Sequence, residues 1–155
     1  MHPDPPVDGA AAQHVVLVAC GARKTEQPSE AGSLYVGGYH RAARRAADAL
    51  TAYGTSGLIL IISARHGLLD LNQVIAPYEQ RLGRIGSITA RTLHRQAGER
   101  GLLDSTVTVL AGRGYVELAR RVWPSAAAPL LDVGGIGQQL AALSRIARGE
   151  TGGEQ

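Results

Sequence analysis

The sequence predicts an α/β fold, built on one mainly parallel sheet of about four strands with helices on both faces. Three observations point there. Short β-branched apolar runs alternate with Ala- and Leu-rich stretches of helical period along the chain. The strand runs are apolar at nearly every position, which calls for cover on both faces. With no Phe and one Trp, aliphatic side chains must fill the core.

Residues 1–13, rich in Pro, Ala and Asp, have neither a basic start nor an apolar run and read as a disordered leader. A single α/β domain is expected over 14–148. Residues 14–20 (HVVLVAC) form a first buried strand that Gly21 ends. An Ala-rich helix follows over 39–53, with Ala42, Ala43, Ala46, Ala49, Leu50 and Tyr53 on one side and Arg41, Arg44, Arg45 and Asp48 mostly on the other, stopped by Gly54. The second buried strand is 57–63 (GLILIIS). From 65 to 83 no period holds and Pro77 interrupts, so a long loop is expected, of the kind that tends to carry function. A helix over 87–102 has Ser87 or Thr89 as its cap. The third strand, 106–111, leads to a short helix over 114–123 closed by Pro124. A brief fourth strand over 129–133 precedes an amphipathic helix over 136–147, and 149–155 is a flexible tail. Right-handed crossovers then give a small three-layer, Rossmann-like arrangement.

At 155 residues the chain can bury a core without staples. Cys20 is the only cysteine, so no intramolecular disulfide forms, and a reducing, cytoplasmic setting is expected. No segment reaches the roughly 20 apolar residues of a membrane span. The net charge of +3 comes from Arg far more than Lys, which suits planar contact with phosphate or carboxylate.

In such sheets ligands bind outside the carboxyl ends of the strands. Four polar segments fall there. After the first strand come Cys20, Gly21 and Lys24, where glycine lets backbone N–H groups approach an anion and lysine adds a point charge. After the second come Ser63, Arg65, His66 and Gly67, presenting a hydroxyl, a guanidinium and an imidazole at a sharp turn. Gly112 and Tyr115 follow the third strand. Asp132, Gly134, Gly137 and Gln138 follow the fourth and lead into a helix N-terminus. Pro77 and Tyr78, in the long loop, offer an aromatic face for stacking on a base. Each segment has a plainer reading as a glycine turn, a loop plug or a packed cysteine, and neither the Walker spacing nor G-x-G-x-x-G is present. Their common edge argues for a shared site.

The run of C-G-x-x-K (Cys20, Gly21, Lys24), L-Y (Leu34, Tyr35), S-A-R-H-G-L-L (Ser63 to Leu69), P-Y (Pro77, Tyr78) and G-x-x-Y (Gly112, Tyr115) resembles a family of uncharacterised bacterial and phage domains. Their usual motifs are C-[GS]-x-x-K and S-A-K-H-G-L, so Arg65 stands where lysine is commoner. That family is similar, more distantly, to the uracil-DNA-glycosylase-like and YaaA-like α/β group. The resemblance implies nucleobase or nucleic-acid handling, although the G-x-D-P-Y and H-P-S blocks of the glycosylases are absent.

The expected activity is therefore that of a hydrolase acting on a nucleotide, nucleoside or nucleic-acid base by cleavage of the N-glycosidic bond. Lys24 and the turn at Gly134 to Gln138 would hold phosphate, Tyr35 or Tyr78 would stack on the base, and His66 with Arg65 would stabilise the departing base. Asp132, or else Asp70 or Glu79, would position water. No cofactor or metal is expected. The alternative is a DNA-binding module without catalysis, using Arg41, Arg44, Arg45, Arg120 and Arg121 as a phosphate-contacting face.

Overall fold

The computed structural model describes residues 13–21, 24–52 and 57–150. The expected leader over residues 1–12, the helix stop at Tyr53 and Gly54, and the tail beyond Glu150 lie outside them. Among the described residues the chain is a mixed α/β protein with a four-stranded sheet, a two-stranded sheet and five helices.

The central strand β1 (His14–Ala19) is flanked in parallel by β3 (Gly57–Ser63) and β6 (Thr106–Leu110), with Val16 opposite both Ile59 and Thr108. Alternate residues of β1 serve opposite faces. Val15 and Leu17 pack with Leu60 and Ile62 against Leu93 and Ala97 of α3 (Ala90–Glu99) and Val116 and Ala119 of α4 (Arg113–Arg120). Val16 and Val18 pack against Ala42, Ala43 and Ala46 of α2 (Gly38–Ala52) and Ala142 and Leu143 of α5 (Ile136–Ala147). The alanines let α2 approach the sheet closely. Of the two expected caps, Thr89 is the one formed, its hydroxyl accepting from the Thr92 N–H.

The structure corrects two expectations. The stretch 65–83 is not all loop. Residues Gly67–Asp70 form β4, an antiparallel edge strand on β3 with Ser63 opposite Gly67. Val74–Ile75 (β5) pairs with Ser29–Glu30 (β2), which leads into the single-turn helix α1, Ala31–Leu34. A four-residue strand is too short to display a period, and Leu68 and Leu69 serve opposite faces as a strand requires. Conversely, the expected fourth strand at 129–133 is a series of turns. The chain makes one parallel bridge beside β6, at Ala127, and then leaves it. Pro129 lacks a ladder donor, and Asp132 takes φ 64°, which breaks an extended run. The fourth strand of the sheet is thus β4, at the edge beside β3, and it runs antiparallel.

Candidate functional site

The site is built around the β3–β4 turn. Ser63 ends β3 fully buried, and its Oγ accepts from the N–H groups of Arg65 (3.1 Å) and His66 (3.0 Å). Those bonds cap the turn and fix where Arg65 and His66 leave the sheet. Gly67 completes it with φ +76°, the left-handed conformation that a three-residue hairpin loop demands. From α3, Gln96 clamps the far side, donating to the His66 carbonyl (2.9 Å) and accepting from the Leu68 N–H (2.9 Å). The root of the next loop joins in, as Ile88 N–H donates to the Ala64 carbonyl (2.7 Å).

Three of the five tyrosines converge here. Tyr78 Oη lies 2.7 Å from Ser63 Oγ and 2.6 Å from Tyr35 Oη, and Tyr115 Oη lies 3.2 Å from Cys20 Sγ. The Cys20 sulfur also accepts from Ala64 N–H at 3.4 Å, tying the end of β1 to the turn after β3. Lys24, the only lysine in the chain, bridges to Tyr35 through the backbone and holds its ammonium 4.5 Å from the Tyr78 ring centroid. The His66 ring stands edge-on to Tyr78 with centroids 5.1 Å apart. Lys24, Thr25, Pro77, Tyr78 and Glu79 line a cavity of about 240 Å³.

The structure thus brings together Cys20, Lys24, Tyr35, Ser63, His66, Tyr78 and Tyr115, with Gly21 beside Cys20 and Arg65 exposed beside His66. Tyr35 and Tyr78 are 2 % and 9 % exposed, so neither has an open face for a base to stack on. The remaining expected residues form a second group. Gly112 caps α4, and the Arg113 guanidinium donates to Asp132 at 2.7 Å. Gln138 accepts from Gly135 N–H at the start of α5, with Gly137 exposed in the first turn. Gly112, Arg113, Asp132, Gly134 and Gln139 line a separate cavity of about 330 Å³. Tyr115, in the first turn of α4, reaches the first group through Cys20.

Two residues here were not expected. Gln96 is a polar position on the core stripe of α3, between Leu93 and Ala97, and that placement is the signal that could have exposed it. His40, 3 % exposed, lies on the buried face of α2, and its Nδ1 donates to the Ala19 carbonyl at 2.8 Å. Its Nε2 is buried without a partner among the described residues. Among those residues no group of three His, Cys, Asp or Glu side chains stands together as a metal would need, and no helix is long and apolar enough to cross a membrane.

Burial lowers the His66 pKa, and the Arg65 charge lowers it further, so the imidazole is neutral at physiological pH. Burial also lowers those of His40 and His14. Burial raises the Tyr35 phenol to about 12, and it raises Tyr78 and Tyr115 too, the nearby Cys20 sulfur adding to all three. A depressed histidine stabilises the fold above its unfolded pKa and loses that contribution as pH falls through the folded one. A raised tyrosine does so below its unfolded pKa and loses it as pH rises. Melting temperature is therefore expected to be flat between about pH 7 and pH 10 and to fall on either side. A midpoint that rises between pH 7 and pH 5 would contradict a buried, neutral His40.

Fold and cluster define a small α/β protein with a polar site at the strand ends. The chain belongs to DUF6884, a family of unknown function whose model matches residues 15–145. No curated protein matches it, and no solved structure does.

Proposed function

We propose that the strand-end cleft binds a nucleotide, nucleoside or nucleic-acid base and hydrolyses its N-glycosidic bond. The carrying observation is His66, a neutral imidazole set between the Arg65 cation and the buried hydroxyl cluster, with neither ring nitrogen engaged by a described residue. Such an imidazole can donate a hydrogen bond to a departing base while Arg65 offsets the developing negative charge. Lys24 supplies a charge for phosphate on the adjoining cavity. Of the three candidate carboxylates, Asp70 is paired with Arg100 at 2.9 Å and Asp132 with Arg113 at 2.7 Å, whereas Glu79 borders the cavity shared by Lys24 and Tyr78. We assign the water-positioning role to Glu79 in place of Asp132.

The distant likeness to the uracil-DNA-glycosylase-like and YaaA-like group, with its three-layer Rossmann-like arrangement, points the same way. Helix-borne apolar clusters on both faces of the sheet support it. A cytoplasmic, reducing setting suits the free thiol of Cys20. The alternative, a DNA-binding module without catalysis, draws less support. Arg44 donates to the Gly32 carbonyl and Arg120 doubly to the Ala126 carbonyl, so two of the five arginines serve the fold, and α2 and α4 pack on opposite sides of the sheet, so the five do not form the one face expected of them.

The test is incubation with nucleosides, nucleotides and base-modified DNA, followed by chromatography for free base. Release from at least one class is expected. No release from any would end the hydrolase reading, and steeply salt-dependent DNA binding in its place would favour the module.

A further inference from the structure

The hydroxyl cluster of Ser63, Tyr78 and Tyr35 has one more O–H than it has oxygen-to-oxygen links. Both lone pairs of Ser63 Oγ are taken by the N–H groups of Arg65 and His66, so its proton must go to Tyr78 Oη. A single O–H joins Tyr78 and Tyr35. Three hydroxyl protons thus serve two oxygen-to-oxygen links, and one phenolic proton is left over. It sits on a side chain more than nine-tenths buried, and no described residue supplies an acceptor for it. A buried donor without an acceptor is costly, so an acceptor from outside the cluster is called for.

The surroundings say which kind. Tyr78 lines the cavity of about 240 Å³, and the Lys24 ammonium lies 4.5 Å from the Tyr78 ring centroid and 5.7 Å from that of Tyr35. A donor and a cation at one cavity wall suit an anion. Glu79, on the same cavity, is exposed and screened by water, whereas Tyr78 is only 9 % exposed, and a hydrogen bond from a largely buried donor is stronger than one in water.

We propose that the Tyr35–Tyr78 pair is a hydrogen-bond donor to a phosphate oxygen of the ligand, with Ser63 and Tyr35 both donating to Tyr78 and Tyr78 donating to the phosphate. Two donors into one phenol polarise its remaining O–H, which strengthens the bond to an anion. Because burial raises both phenols, each keeps its proton at neutral pH and acts as donor rather than base. The proposal rests on the nucleotide reading of the same cleft and names the group by which the ligand is held.

The probes are inorganic phosphate, nucleoside 5′-monophosphates, and an oligonucleotide carrying internal phosphodiesters only, titrated calorimetrically beside the matching nucleosides. Tyr78→Phe keeps the ring and removes the donor, and is expected to weaken phosphate-bearing probes roughly 10- to 100-fold while leaving nucleosides unchanged. Tyr35→Phe removes one of two polarising donors and is expected to weaken them less. In the wild-type protein, phosphate should shift the tyrosine absorption band, a readout that does not depend on either variant folding. The monophosphate and oligonucleotide arms tell a terminal phosphate from an internal one. Wild-type phosphate affinity in Tyr78→Phe, or no tyrosine shift, overturns the donor role, and the leftover proton then meets water. If base release survives in that case, the hydrolase reading stands alone. If wild-type protein binds none of the probes, both fall.

Discussion

Replacing Gly67 by alanine is expected to destabilise the fold by about 3–5 kcal/mol. Two costs combine. Gly67 has φ +76°, so a side chain there is strained by about 1–2 kcal/mol whatever the space around it. The added Cβ would also clash with Gln96 Oε1 and stand 2.9 Å from Ile88 Cδ1. Gln96 can swing aside only by giving up its bonds to Leu68 N–H and the His66 carbonyl, at about 0.5–1.5 kcal/mol each. Urea denaturation of the two proteins measures the sum. Gln96→Ala removes the clamp without the strain and should cost clearly less. Equal losses in the two variants would show that the turn conformation at Gly67 contributes nothing of its own.

His66→Ala is expected to reduce base release by about 10²- to 10⁴-fold, the range of a lost general acid or hydrogen-bond donor. It should cost only about 1 kcal/mol of stability, from the edge-on contact with Tyr78. The residue contributes to the turn through its backbone, N–H to Ser63 and carbonyl to Gln96, and alanine keeps both bonds. Glutamine, a neutral donor of similar reach, should restore part of the rate. Its pH profile should also lose the inflection below pH 6.5 that the lowered imidazole pKa gives the wild type. Full activity in His66→Ala, or a stability loss above about 3 kcal/mol, would remove His66 from the chemistry and make it a structural residue.

The parallel strands β1, β3 and β6 and the helices α2, α3 and α5 were legible because each is long enough to carry its period, or its unbroken apolar run, within itself. The strand-end rule then placed Cys20, Ser63, His66 and Tyr115 at one edge, since parallel strands joined by helices all end on the same side. The edge strand β4 was not legible. Its four residues become a strand only through pairing with β3, and apolar content alone gave 129–133 the same appearance where no ladder is available. The roles within the site were likewise beyond the sequence. Tyr78 is 15 positions from Ser63 and 43 from Tyr35, and Gln96 is 30 from His66. Whether Tyr78 stacks, plugs or donates depends on which oxygens surround its hydroxyl. Arg44 and Arg120 count as surface charge in the sequence and as carbonyl donors in the fold. Local pattern determines which backbone a segment adopts, because that preference is set within a few residues. What a polar side chain does is set by the donors and acceptors that distant segments bring within 3 Å or so of it, and only the tertiary structure decides those.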